Sequence, residues 1–177
     1  PKSDRIQRKL GNHATADKIR HAVGDKVWDD SFKFSIVRNP WDQMVSVWQW
    51  WQQIAPEIPN CKKGAAIVKS MSFPVFIRSA FGNRINEFAL QPEDWLTDKR
   101  GTVIVDFVCR TETLDQDFQF ICRKLKDDRG LDIPVSPLEK QNATNRETHY
   151  REFYDLASKE FVARRFQWLI QAYGYRF

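Results

Sequence analysis

Glycine is scarce in this chain, with 7 among 177 residues, and none stands with a nearby Lys and Ser/Thr to cradle a phosphate. The missing Gly-x-x-x-x-Gly-Lys-Ser/Thr loop, with no obvious magnesium-binding aspartate, counts against a nucleotide kinase. Cysteine is equally sparse. Cys61, Cys109 and Cys122 are an odd number with no Cys-x-x-Cys pair, which indicates neither a zinc site nor a disulfide framework. No cluster of His, Cys and carboxylates points to a metal. No apolar run approaches the length of a transmembrane helix, and Pro1 to Leu10 is basic and polar rather than signal-like. Long basic runs are absent too. The net charge of +5 is spread along the chain, which favours anionic ligands in general but not a nucleic-acid partner.

What remains is a globular composition. At 42% hydrophobic and 29% charged residues the chain is neither disordered nor membrane-like. Its 177 residues suit a single domain, 1–177, and are too few for two. Free thiols at predicted core positions are ordinary. They make the reducing cytoplasm the expected compartment, although a Golgi-lumenal domain cut from a membrane-anchored parent would read the same way.

Two strand-turn-helix units organise the sequence. Phe32 to Val37 is β-branched and aromatic, which predicts a short buried strand. Asn39 then suits an N-cap, Pro40 the first helical position and Asp42 the first turn. Trp41, Met44, Val45 and Trp48 repeat at helical spacing. Arg38 therefore sits at the carboxyl end of a strand beside a helix N-terminus, where open α/β sheets bind ligands and anions are favoured. Ser46 lies about two turns into the helix, within reach of the same anion. On spacing alone, Arg38 pairing with a carboxylate and Ser46 as a solvated helix residue remain equally open. The second unit is Thr102 to Val108, a nearly continuous apolar run that predicts a strand buried on both faces. It leads through Arg110 and Glu112 to a helix reaching about Leu125. Both units together indicate an α/β three-layer sandwich with a short parallel sheet.

Elsewhere the signals are weaker. Thr15 caps a predicted helix through Val23 that Gly24 closes. His13 precedes it in a loop, where a side chain points into a cleft, caps the helix or packs on Trp28. His21 and His149 have no comparable support. Trp48, Trp50 and Trp51 cannot all share one helix face, so either one leaves the core as a stacking platform for a sugar ring or the two faces pack against separate layers. Pro56 to Lys69 reads as a loop, Ser72 to Phe81 as a helix, and the chain from about Tyr150 as helical to its end.

Val37-Arg38-Asn39-Pro40-Trp41-Asp42, followed by Ser46 and Trp48, resembles the 3′-phosphate-binding motif of sulfotransferases that use 3′-phosphoadenosine-5′-phosphosulfate (PAPS). The variant is similar to the carbohydrate type related to heparan 2-O- and chondroitin sulfotransferases. His13-Ala14-Thr15-Ala16 resembles the element carrying that family's catalytic base. Arg110-x-Glu112-x-Leu114 with Asp117-Phe118, and the ending Gly174-Tyr175-Arg176-Phe177, are also similar to the family pattern. The resemblance implies a P-loop NTPase-like sulfotransferase fold and sulfuryl transfer from PAPS to a carbohydrate hydroxyl, without a metal. Under it His13 is the general base, Arg38 and Ser46 bind the 3′-phosphate, and Thr144 and Arg146 contact the nucleotide from a late loop. The product is 3′-phosphoadenosine-5′-phosphate (PAP). The family's 5′-phosphosulfate loop is not found: Pro1-Lys2-Ser3 is similar to its start, but Asp4-Arg5-Ile6 does not continue it. The fold is thus expected to lack its first strand and that loop here. The alternative expectation is a non-catalytic module that binds a nucleotide or an anionic glycan.

Overall fold

The computed structural model describes residues 10, 13–84, 92–135, 138 and 146–177. The expectations for Thr144 and for Pro1 to Ser3 fall outside those residues. Two compact units are present, Pro1–Val37 with Gln91–Leu138 and Arg38–Leu90 with Glu139–Phe177. Each is assembled from two separate pieces of chain.

The first unit is built on a parallel pair, β1 (Phe34–Val37) and β2 (Phe107–Arg110), in register Phe34↔Phe107 to Val37↔Arg110. With two parallel strands and helices following them in sequence, the chain is α/β and helix-dominated. Helix α1 (Ala16–Val23) starts where the Thr15 hydroxyl accepts from the Lys18 amide at 3.3 Å, and ends at Gly24, whose φ of 87° suits a residue without a Cβ. Helix α2 (Asp25–Asp30) buries Trp28. Helix α6 (Leu114–Arg129) runs one turn past the expected end before Gly130 closes it at φ 66°. Its start is tied to β2 by Asp117, which accepts from the Arg110 amide at 2.7 Å and the Thr113 hydroxyl at 3.0 Å.

The Thr102–Val108 expectation needs correction. β2 begins only at Phe107, because the first half of that run pairs backwards instead. Asp98 turns the chain by accepting from the amides of Thr102 (3.0 Å) and Arg100 (2.9 Å), which hold its carboxyl below the usual carboxylate range. Val103 then bridges antiparallel to Thr97. Asp106 separates the two halves by accepting from the Lys33 amide at 2.8 Å. The expected burial is not observed in either strand: of β2 only Cys109 is fully buried, with Val103 ahead of it 41% exposed, and in β1 Phe34 is 46% and Ile36 49% exposed.

The second unit is helical. Its centre is α3 (Pro40–Gln53), which buries Pro40, Trp41, Met44, Val45 and Gln49. Around it stand α4 (Lys62–Lys69), α5 (Phe73–Arg78), α7 (Leu156–Arg165) and α8 (Gln167–Tyr173). The stretch read as a loop up to Lys69 thus contains a helix, whose Gly64 lets α4 approach closely. A Cβ there would fall 2.7 Å from the Trp51 ring and 2.9 Å from that of Phe81. The tryptophans follow the separate-layers alternative, since none of the three is exposed. Trp48 packs against Phe73 and Phe153 and donates its indole N–H to the Met71 carbonyl at 3.1 Å. Trp51 instead meets Trp50 and Phe81. The helix expected over 72–81 stops at Arg78 because the Ser79 hydroxyl donates to the Phe76 carbonyl and accepts from the Gly82 amide. From Tyr150 the chain is helical in three pieces, the second opened by an Asp155–Ser158 capping box.

Candidate active site

Arg38 directly follows β1 in the chain, and α3 starts as the sequence predicts. The Asn39 side chain accepts from the amides of Trp41 (3.1 Å) and Asp42 (3.4 Å), satisfying two N–H groups that the first turn leaves without helical partners. The segment from Tyr150 to Phe177 then fixes this turn in place. Asn39 Nδ2 donates to the Arg176 carbonyl at 3.0 Å, and the Trp41 indole to the Lys159 carbonyl at 3.1 Å. The Tyr154 hydroxyl donates to the Trp41 carbonyl at 2.8 Å. Phe177 meets Trp41, Tyr150 and Tyr154 edge-on, with ring centroids 5.4–5.9 Å apart, and the Lys159 ammonium lies 4.2 Å from its centroid.

Asp42, in the first turn of α3, links two arginines. Arg38 Nε donates to Asp42 Oδ2 at 2.6 Å, with Nη2 2.5 Å from the same oxygen. The other oxygen, Oδ1, lies 2.6 Å from Arg146 Nη2, a close ion pair without hydrogen-bond alignment. Asp42 is 17% exposed and Arg146 23%, so water screens these charges only in part. Among the described residues this cluster sets two guanidiniums against one carboxylate, an excess of one positive charge. Arg146 Nη1 is buried and has no hydrogen-bond partner among the described residues. A buried donor without a partner is unusual and calls for an acceptor. Paired guanidiniums of this kind match phosphate or sulfate oxygens.

The sequence-predicted residues are thus partly assembled. Arg38 and Arg146 come together through Asp42, and Ser46, half-buried, stands one turn beyond Asp42 on the same face of α3. His13 lies in the first unit, exposed in the loop just before the Thr15 cap. An open cleft of about 570 Å³ in that unit is lined by Leu10, Asp17, Lys18, His21, Ala22 and Lys99. The His21 ring is held there, with Nδ1 2.7 Å from the Asp17 carbonyl oxygen.

The profile of the sulfotransferase family matches residues 2–176. The chain belongs to the sulfotransferase family. Membership makes a transferase of sulfuryl groups the coarse description of its activity, with a hydroxyl-bearing acceptor. A protein of Archaeoglobus fulgidus described as uncharacterized is 26% identical over 124 residues, which span 70% of this chain and 92% of that protein. No solved structure matches this sulfotransferase-family chain. Among its described residues no group of three His, Cys, Asp or Glu side chains is placed to hold a metal, and no helix is long and apolar enough to cross a membrane.

Sequence reasoning missed two parts of this arrangement. Asp42 was legible only as first-turn charge, although its spacing of four from Arg38 is that of a helical ion pair and was enough to suggest the contact. Tyr154, which holds the backbone of the motif turn, carried no local signal at all.

Proposed function

We propose that this chain moves a sulfuryl group from PAPS to a hydroxyl of a carbohydrate acceptor, the 177 residues acting as one sulfotransferase-like domain. The observation that carries the reading is the Arg38–Asp42–Arg146 cluster at the start of α3. Its excess positive charge, and an Arg146 Nη1 that is buried and has no hydrogen-bond partner among the described residues, fit a phosphate group. In this reading Arg38 and Arg146 hold the 3′-phosphate by charge-assisted N–H donation, and the Ser46 hydroxyl adds a donor from the next turn. In the same reading Thr144 contacts the nucleotide. These residues position the donor without making or breaking bonds.

When bound, PAPS supplies the activated sulfuryl group. His13 takes the proton from the acceptor hydroxyl, a task an imidazole performs well at neutral pH. The carbohydrate acceptor is supported by the likeness of the 37–48 motif to carbohydrate-type enzymes. Three free thiols support the cytoplasm as the compartment.

Calorimetric titration of PAP, with ADP as control, tests the reading. The intact chain is expected to prefer PAP, and Arg38→Ala to lose about ten- to hundredfold in affinity, the equivalent of roughly 1.5–3 kcal/mol. Equal affinity for both nucleotides refutes a 3′-phosphate site. His13→Ala is expected to bind PAP normally and to transfer no sulfuryl group to a glycan mixture. PAP binding by the intact chain with no transfer moves the non-catalytic module ahead.

A further inference from the structure

The role of Asp42 goes beyond, and rests on, the assignment of Arg38 and Arg146 to a phosphate. A carboxylate beside an anion site is electrostatically adverse, since it repels the ligand it adjoins. Yet this carboxylate is divided evenly. Oδ2 receives Arg38 at 2.6 Å and Oδ1 faces Arg146 at 2.6 Å, so each oxygen serves one guanidinium. Its own backbone is rigid, because the Asp42 amide donates to the Asn39 cap and Tyr154 clamps the neighbouring Trp41 carbonyl. Arg146, by contrast, arrives from a distant part of the sequence on a long side chain. An arginine side chain carries rotamer entropy that a ligand must otherwise overcome. The unpartnered Arg146 Nη1 shows that Asp42 does not saturate that guanidinium.

We propose that Asp42 is a positioning residue: it presets Arg38 and Arg146 around one phosphate and thereby sets the preference for a 3′-phosphorylated nucleotide. Two effects compete, and their sign separates them. If the charge of Asp42 matters mainly as repulsion, its removal tightens phosphate binding. If ordering matters more, removal weakens it.

The test is calorimetric titration of PAP and of ADP into the intact chain, Asp42→Asn, Arg146→Ala and the double variant. Asp42→Asn is expected to bind PAP about tenfold more weakly while its affinity for ADP stays unchanged. A general loss of structure would lower both. The double variant is expected to lose less PAP affinity than the two single losses combined, because part of the effect of Asp42 passes through Arg146. Asp42→Asn binding PAP as tightly as the intact chain, or more tightly, overturns the proposal. If the intact chain itself does not prefer PAP to ADP, the phosphate-site reading fails first and takes this one with it. Should Asp42→Asn not fold, Asp42→Glu decides. It keeps the charge but not the reach, so a smaller selective loss for PAP is expected, and no loss refutes the role.

Discussion

Tyr154→Phe removes one oxygen and leaves the rest of the side chain in place. The ring keeps its neighbours, Phe73 at 4.6 Å and Phe177 at 5.4 Å between centroids. What goes is the 2.8 Å hydrogen bond to the Trp41 carbonyl, and an intramolecular hydrogen bond of this kind is worth about 1 kcal/mol net. At pH 7 the variant should therefore be less stable by about that amount. The pH dependence makes the prediction sharper. Burial, the nearby Asp42 carboxylate and Tyr150 all push the Tyr154 phenol above its ordinary range. A phenol that stays protonated in the folded chain but titrates near pH 10 when unfolded contributes fully below pH 10 and progressively less above it. One such group costs at most about 1.4 kcal/mol between pH 9 and pH 11. Phenylalanine has no proton to lose. The gap between the two proteins should accordingly fall from about 1 kcal/mol at pH 7, close between pH 10 and pH 11, and reverse by about 0.4 kcal/mol at pH 11. Urea unfolding across that range, read as the difference between the two chains, cancels the titration of every other group. Stability curves that stay parallel from pH 8 to pH 11 would refute Tyr154 as a buried protonated donor to the motif turn.

Two further outcomes follow from the packing and the caps. Gly64→Ala gains about 1 kcal/mol of helix propensity in α4 but drives a methyl into the Trp51 and Phe81 rings, where overpacking costs about 1–3 kcal/mol. A net loss in thermal midpoint with altered tryptophan fluorescence is expected, and a stabilised variant would show that the rings yield freely. The Ser158 side chain and amide, with Arg78, hold the Asp155 carboxyl below the usual carboxylate range. Its contribution is therefore present above the unfolded value near pH 4 and lost as pH falls through the lower folded value. Asp155→Asn, which keeps a capping oxygen, should show a shallower acid limb in the unfolding midpoint, and an unchanged limb would exclude this carboxylate as a source of acid sensitivity.

The legible parts of this protein were those carried by residues within one turn of each other. Asn39 and Pro40 start α3, Thr15 and Gly24 bound α1, and β1 follows from its own branched and aromatic side chains, because capping and strand preference depend on immediate neighbours. The 37–48 motif likewise lies on one continuous strand-turn-helix segment, which is why it marks the family without any tertiary information. Partner choice is different, since it depends on what the fold brings alongside. The 102–108 run has strand composition throughout, yet Asp98 diverts its first half to pair with Thr97 and leaves only Phe107 and Val108 for the parallel sheet. The close approach of α4 to Trp51 depends on a glycine whose purpose no local pattern discloses. Spacing left Arg38 open between an anion contact and a carboxylate pair, and the structure supplies a carboxylate, Asp42. Only the tertiary structure set Arg146 against Asp42 and Tyr154 against Trp41, since a charge pair or hydrogen bond between residues a hundred positions apart is decided by the packing of the elements that carry them.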